Sequence, residues 1–390
     1  MIDAVSAIDC FALCAQLLGK RSVTPDDQGC QAIIADSLKP FGFDVVHYPC
    51  EQTKNILLTR GHVVDETAPH LIFVGHTDVV PADEMRFMHP PFKLTHEPPF
   101  FYGRGIADMK GAIAAMVDAC SQFVLAYPHH IGRISLLLTS DEEGSGIHGM
   151  PYLVDSISKT NPDFFDKALV LVGEPSSQTI TGDVIKVGRR GSMHAQIKGQ
   201  GKAGHIAYPD LLHNPIHEGL DVIKRLSHYD FKDGSDVFQP TSLQFYNLKA
   251  NSAANNVTPD ALMGQFNLRF SPLLGVEKIK QIIEDMLNQD AMQWTIDWQE
   301  PVTMPYYSKG NAQLRRHAVA AIKEITHKEP RFSTTGGTSD GRHLAPIAFE
   351  VLELGLPSST IHQDNERVTE KDLIDLKRIY LNLLQRLFVV

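Results

Sequence analysis

The sequence predicts an α/β protein: a mostly parallel central sheet with helices on both faces, interrupted by a smaller α+β domain. Three observations predict it. Short, almost wholly apolar runs, each closed by a glycine or a polar turn, recur along the chain; helical spacing fills the stretches between them; and one middle segment alternates apolar with polar residues instead. Strands covered by helices on both faces lose the alternation that half-exposed strands keep, so the two patterns mark two kinds of sheet. In chain order, Thr24-Pro25 followed by DDQGCQAIIADSLK predicts a helix with Thr24 as N-cap, proline at the first helical position and acidic residues in the first turn. LIFVG at 71–75 reads as a buried strand, GAIAAMVDACSQFVLAY after Lys110 as a helix on the sheet, and ISLLLT at 134–139 and ALVLVG at 168–173 as further buried strands. From about Gly191 to Pro301, SMHAQIKG, TSLQFYNLKA and LMGQFNLRF alternate, while HNPIHEGLDVIKRL and VEKIKQIIEDML have helical spacing, as in a half-exposed antiparallel sheet with helices on one face. AFEVLELG at 348–355 returns to the first pattern, and EKDLIDLKRIYLNLLQRLF closes the chain as a helix. The division is a discontinuous domain of residues 1–190 and 304–390 with an insertion over 191–303.

Composition narrows the function. With 43% apolar and 21% charged residues, 28 glycines and 23 prolines in 390, the chain is neither collagenous nor disordered. A formal charge of −10 gives no overall basic field for a polyanion, so nucleic acid is not the expected partner. Asp3 and Asp9 stand where an export signal carries basic residues, and no uninterrupted apolar stretch reaches the length of a membrane span, so neither export nor a membrane partner is expected. Five cysteines without a C-x-x-C pair read as reduced thiols in a cytoplasmic protein.

The chemistry-bearing residues follow the apolar runs. GHTDVV places His76 and Asp78 just past the first strand, and YGRGIADMKG brings Asp108 after the next turn. SDEEG supplies Asp141, Glu142 and Glu143 after ISLLLT, GEP supplies Glu174 after ALVLV, and IHQDNE supplies His362 and Glu366 beyond the last strand. Ligands in open α/β sheets bind outside the carboxyl ends of strands, where these clusters fall. Two histidines with several carboxylates and no cysteine suit zinc or a neighbouring divalent metal, and without a cation the carboxylates would repel one another. An H-x-D or Glu-Glu pair alone is ordinary loop chemistry; the ordered series is not.

The series GHTDVVPA, YGRGIADMKG, TSDEEG, VGEPSS, GDVIKVGRRGS, GHIAYPDLLHNP, the Asn pair of SAANNVTP, TTGGTSDGR and TIHQDNE resembles the M20 family of cocatalytic metallopeptidases over essentially the whole chain. GRRGS, GHIAYP and TTGGTSDGR point within it to the branch that removes succinyl groups from diaminopimelate. The resemblance implies a zinc-aminopeptidase-like fold and two Zn²⁺ per subunit, with Co²⁺ able to take one site. It gives one ion to His76 and Glu174, the other to Glu143 and His362, and makes Asp108 the bridge. It makes Glu142 the general base and Asp78 the acceptor for the second ring N–H of His76, which would fix the tautomer. His205 would stabilise the oxyanion from the partner subunit of a homodimer formed through the insertion. The implied substrate, N-succinyl-LL-2,6-diaminopimelate, carries three carboxylates, and Arg189, Ser192, Tyr208, Asn255, Asn256, Arg269, Gly337 and Thr338 match positions that contact it; planar guanidinium groups suit such an anion. The implied reaction yields succinate and LL-2,6-diaminopimelate, for lysine and peptidoglycan precursors. Another N-acyl-amino-acid deacylase, such as an acetylornithine deacetylase-like enzyme, and a non-catalytic metal-stabilised binding protein are the rival readings. Arg190, Arg342 and Lys110 are expected in surface or inter-element salt bridges. The sequence departs from the group's pattern in EMRFMHPPF, where a tryptophan is expected ahead of PPF, and in the pair between His362 and Asn365.

Overall fold

The computed structural model describes residues 6–63, 68–308 and 312–389; the expectation drawn from Asp3 lies outside them. The chain packs as two units. The first comprises the residues up to Gly188, Tyr307–Ser333 and those from Ser339 onward; the second comprises Arg189–Tyr306 and Thr334–Thr338. The short return of 334–338 to the second unit was not expected from sequence. It follows from local bonds: Thr334 Oγ1 donates to the Val237 carbonyl at 2.6 Å and Arg189 Nη1 to the Thr335 carbonyl at 2.9 Å.

In the first unit an eight-stranded sheet runs in the order Asp44–His47, Asn55–His62, Gly132–Thr139, His70–His76, Leu169–Val172, Glu350–Glu353, Val184–Lys186, Arg331–Ser333. The third to sixth strands in that order are parallel and are the four apolar runs of the sequence. The first two join antiparallel, which makes the sheet mixed. Leu71 and Phe73 share one core with helices Gly111–Ala126 and Glu370–Phe388, while Ile72 and Val74 are equally buried on the opposite face. Helix Met150–Thr160 packs on the strands Asn55–His62 and Gly132–Thr139. Each such side chain withdrawn from water contributes about 1.5–3 kcal/mol, which is why these runs contain no polar interruption. The segment Ile106–Ala126 is apolar enough to cross a bilayer, but 83% of its most apolar stretch is buried inside the protein, as a core helix requires.

Two local expectations are corrected. The helix expected from Thr24-Pro25 begins instead at Cys30. Gly29 stands at φ +84°, a left-handed conformation that no helix interior accommodates, and the Asp27 carboxylate accepts the Gln31 N–H in place of a Thr24 cap. Asp9, read above only as a charge against an export signal, is the N-cap of helix Cys10–Leu18 and accepts the Ala12 N–H at 2.9 Å.

The second unit is a four-stranded antiparallel sheet in the order Ser242–Lys249, Ala261–Phe270, Gly191–Gln200, Gln293–Thr303. Helices Pro215–Ser227 and Val276–Asn288 turn Val222, Leu226, Ile279, Ile283 and Leu287 onto Ala195, Ile197, Phe266 and Leu268. Asn214 caps the first of these helices by accepting the Ile216 N–H.

Candidate functional site

His76 is the last residue of its strand and is 1% exposed. Asp141–Glu143 and Glu174 follow the two neighbouring parallel strands, and His362 lies on the loop after Glu350–Glu353. Parallel pairing therefore delivers all of them to one edge. Asp108 reaches the same edge from the irregular turn Ile106–Lys110 that opens the core helix.

Two donor groups result, His76–Asp108–Glu174 and Asp108–Glu143–His362; within each, the ligand atoms lie within 4.8 Å of one another. Asp108 joins them: its Oδ1 is 3.1 Å from His76 Nε2 and its Oδ2 is 3.3 Å from His362 Nε2. Glu174 Oε1 lies 3.6 Å from His76 Nε2, and Glu143 Oε1 lies 2.9 Å from His362 Nε2. Burial, reinforced by Asp108 and Glu142, pushes the Glu174 carboxyl well above its usual range. Hydrogen bonds to Asp108 and Glu143 draw the His362 imidazole up to about 10. Such a concentration of carboxylates is an excess of negative charge with nitrogen and oxygen donors converging on it, and divalent cations fit it on both counts.

Glu142 belongs to neither group, yet it feels the charges of His76, Glu143 and Asp108, and its carboxyl is pushed up to about 8, chiefly by desolvation and further by Asp340, Glu143 and Asp108. A cation in either group acts in the opposite sense and returns it toward the range of a working base.

The expected role of Asp78 is revised. The Nδ1 of His76 lies 2.9 Å from the Asp78 backbone carbonyl, whereas the carboxylate is 3.5 Å away. The carbonyl fixes the tautomer. The carboxylate instead accepts the N–H of Glu143 at 3.0 Å and of Glu142 at 3.4 Å, and so holds the loop that carries both. Lys110 is corrected too: it is fully buried, without a salt bridge among the described residues, and its Nζ donates to the carbonyls of Leu17 and Lys20, both at 3.0 Å. Arg342 donates to the Ser339 carbonyl and Arg190 to the Pro240 carbonyl, so neither is assigned to the site.

Glu366 has a role the sequence did not disclose. At 1% exposure its Oε2 accepts from Arg104 Nη1 at 2.7 Å and the Gly105 N–H at 2.9 Å, and its Oε1 from the N–H groups of Ala107 at 2.9 Å and Asp108 at 3.2 Å. It clamps the turn that presents Asp108. Its partner lies 262 residues away, so no local pattern could announce the pair. Asp340, inside TTGGTSDGR, is buried with its Oδ2 unpartnered among the described residues, and burial pushes it up to about 6.

Every residue expected to touch substrate lies in the second unit: Arg189, Ser192, Tyr208, Asn255, Asn256, Arg269, Gly337 and Thr338, and His205 with them. Arg189 is 7% exposed, and Gly336, at φ +104°, passes so close that a Cβ there would be 2.3 Å from its Nη1. Glycine is required at 336; at Gly337 no protein atom lies within 4 Å of the same position, which leaves that side of the turn open. Ser192 and Arg269 are cross-strand partners, and Ser192 Oγ accepts from Asn267 Nδ2 at 2.9 Å. His205 and Tyr208 form an exposed aromatic pair 5.6 Å apart, with the backbone of Asn256 accepting the Ile206 N–H. His205 Nδ1 accepts the Ala207 N–H at 3.1 Å, so the neutral ring carries its proton on Nε2, which lies 3.5 Å from the Asn256 side-chain amide.

An α/β sheet with paired histidine–carboxylate groups at the carboxyl ends of its central strands is the architecture of a metal-dependent hydrolase. The chain belongs to peptidase family M20/M25/M40, whose pattern matches residues 72–386. Divalent-metal use comes with that membership. The chain is 42% identical over 376 residues to the succinyl-diaminopimelate desuccinylase of Coxiella burnetii (strain Dugway 5J108-111), spanning 96% of this chain and 98% of that protein. It is 40% identical over 379 residues to the enzyme of the same name from Alkalilimnicola ehrlichii, again spanning 96% and 98%. Its fold is similar to that of a Staphylococcus aureus tripeptidase (TM-score 0.75, 19% identity, 98% of this chain and 99% of that one). It is also similar to an M20 metallo-carboxypeptidase from Sulfolobus solfataricus (TM-score 0.74, 15% identity, 97% and 99%).

Proposed function

We propose that this chain hydrolyses the succinyl amide of N-succinyl-LL-2,6-diaminopimelate, giving succinate and LL-2,6-diaminopimelate for lysine and peptidoglycan precursors. The observation that carries the reading is the pair of donor groups sharing Asp108, with Glu142 in neither but under the charges of both, in a chain 42% identical to a desuccinylase over nearly its whole length. His76 and Glu174 would hold one Zn²⁺, Glu143 and His362 the other, Co²⁺ being acceptable in one place, and Asp108 would serve both. Metal held there would supply Lewis-acid polarisation of the scissile carbonyl and would make the attacking water easier to deprotonate.

The chain's own residues do the rest. Glu142 takes the proton of the attacking water and returns it to the departing amine. Asp78 keeps Glu142 and Glu143 in register through their N–H groups, and its carbonyl keeps the His76 ring oriented. His205, with its proton on Nε2, donates to the oxyanion from the partner subunit. Arg189 and Arg269 take substrate carboxylates, with Ser192, Tyr208, Asn255, Asn256, Gly337 and Thr338 around them. A homodimer through the second unit is supported by the outer strand Ser242–Lys249, whose Tyr246 and Leu248 are 56% and 48% exposed. A cytoplasmic setting is supported by five free cysteines, four of them buried.

The test is amine release from N-succinyl-LL-diaminopimelate by the metal-stripped protein before and after adding Zn²⁺, with N-acetylornithine in parallel. Zinc-dependent cleavage of the succinyl substrate alone is expected; cleavage of the acetyl substrate alone overturns the specificity. Glu142→Gln should retain two zinc ions and lose turnover by on the order of 10²–10⁴-fold. Loss of zinc in that variant would reassign Glu142 as a ligand.

A further inference from the structure

The two stretches that depart from the group's sequence pattern meet in space. Arg86 Nη2 lies 2.8 Å from Asp364 Oδ2, and the Met88 N–H donates to Asn365 Oδ1 at 2.6 Å. The loop they join carries His362. That ring is 49% exposed, against 1% for His76, so packing does not hold it as it holds its counterpart. His362 and Asn365 also stand at φ +59° and +62°, the left-handed region that is uncommon for residues with a side chain, though His and Asn enter it more readily than most.

At its base the loop closes on itself: Thr360 Oγ1 donates to the Arg367 carbonyl at 2.9 Å and accepts the Arg367 N–H at 3.1 Å. At its tip it is tied to residues 86 and 88. Those are anchored in turn, because Asp83 caps the turn Glu84–Arg86 by accepting the Met85 N–H at 3.1 Å. The Phe87 ring, near the position where a tryptophan is expected, lies 5.3 Å from the Arg104 guanidinium carbon, and Arg104 pairs with Glu366 at 2.7 Å. The contacts form a closed circuit from Glu366 through Arg104 and Phe87 to Met88 and back to Asn365.

We propose that the segment 83–88 is a clasp that positions His362, so that Arg86, Asp364 and Asn365 are positioning residues for the donor group Asp108–Glu143–His362. The inference rests on the reading of that group as metal-binding. Its consequence is selective: the clasp sets the affinity of the group containing His362 and leaves the group of His76 and Glu174 alone. Because the Arg86–Asp364 pair faces solvent, that one affinity also falls as ionic strength rises.

The experiment is titration of the metal-stripped full chain with Zn²⁺, and separately with Co²⁺ followed by its absorption spectrum. His362→Ala identifies the equivalent to watch. Arg86→Ala and Asp364→Asn are expected to weaken that equivalent by about 3–10-fold, short of the 10–100-fold typical of a partner touching the ligand directly, with the other equivalent unchanged within about twofold. The exchanged pair Arg86→Asp with Asp364→Arg should restore most of the loss. Asn365→Gly, which keeps the left-handed backbone and removes only the bond to Met88, should weaken the same equivalent. Wild-type affinity for both equivalents in the single variants overturns the clasp, as does equal weakening of both, which would mark general loosening. If His362→Ala itself leaves both equivalents intact, the donor-group reading falls and the clasp with it.

Discussion

Replacing Glu366 by glutamine tests whether one buried carboxylate holds the turn that presents Asp108. The carboxylate accepts four hydrogen bonds, two on each oxygen, and its partner Arg104 is only 3% exposed. A glutamine keeps the shape but has one acceptor oxygen. Whichever way the amide turns, its NH₂ group faces two donors, either Arg104 with Gly105 or Ala107 with Asp108. Two hydrogen bonds to a charged acceptor are lost, at about 1.5–3 kcal/mol each, and the guanidinium is left without its counter-charge. Breaking a buried pair from one side costs about 3–5 kcal/mol, within the roughly 3–6 kcal/mol that the two lost bonds give. Urea unfolding of the metal-stripped wild type and variant measures it free of stabilisation by bound metal. The transition assigned to the first unit should lose about 3–5 kcal/mol with little change in slope, equivalent to a melting-point drop of roughly 10 °C. A loss below about 1 kcal/mol would refute the reasoning, because four donors at these distances cannot then be directed at an ionised acceptor.

Three further outcomes follow from the same geometry. His205→Ala should lower kcat by about 10²–10³-fold, as loss of an oxyanion donor does, with zinc content unchanged when the purified variant is assayed for metal. Arg189→Lys should raise KM more than it lowers kcat in steady-state kinetics, since one ammonium cannot both bond the Thr335 carbonyl and grip a carboxylate bidentately. His70, packed edge-on to Phe164 near Arg133 with its Nε2 2.9 Å from Ser135 Oγ, is held down by burial at about 3. The unfolded chain therefore takes up that proton first, so its contribution to stability is present above pH 6.5 and is lost as pH falls toward 3. Between pH 6.5 and 4 the wild type should lose about 3 kcal/mol that a His70→Asn variant does not, measured as the difference in their urea midpoints.

The central strands could be read from sequence because burial on both faces leaves an unbroken apolar run, as at Leu71–Val74. The order of the polar clusters could be read for the same reason: each follows a strand that had already been located. What could not be read depends on distant partners. Lys110 reads as a surface cation until the carbonyls of Leu17, in the last turn of helix Cys10–Leu18, and of Lys20, just past it, are seen to enclose it. Asp78 sits two residues from His76, so sequence pairs their side chains, whereas in the fold a backbone carbonyl takes the ring and the carboxylate turns to Glu143. The sheet Thr95–Glu97, Phe100–Tyr102 and Arg367–Thr369 escaped notice because three-residue strands are too short to show a period. The start of the helix at Cys30 was misplaced because Thr-Pro-Asp-Asp has the composition of a start signal, and only the left-handed Gly29 shows where the start falls.

The clamp formed by Glu366 has a consequence for the order in which the molecule is made. The turn at 104–108 and the strand His70–His76 are synthesised early, yet the acceptor that shapes that turn and the imidazole that completes the second donor group both come from beyond residue 360. The strand Glu350–Glu353, which pairs with Leu169–Val172 in the middle of the sheet, also emerges late. A chain still on the ribosome folds from its N-terminal side and waits some tens of seconds for those residues. During that time it has only part of the donor set, so neither the turn at 104–108 nor the donor group of Asp108, Glu143 and His362 is complete until residues beyond 360 have emerged.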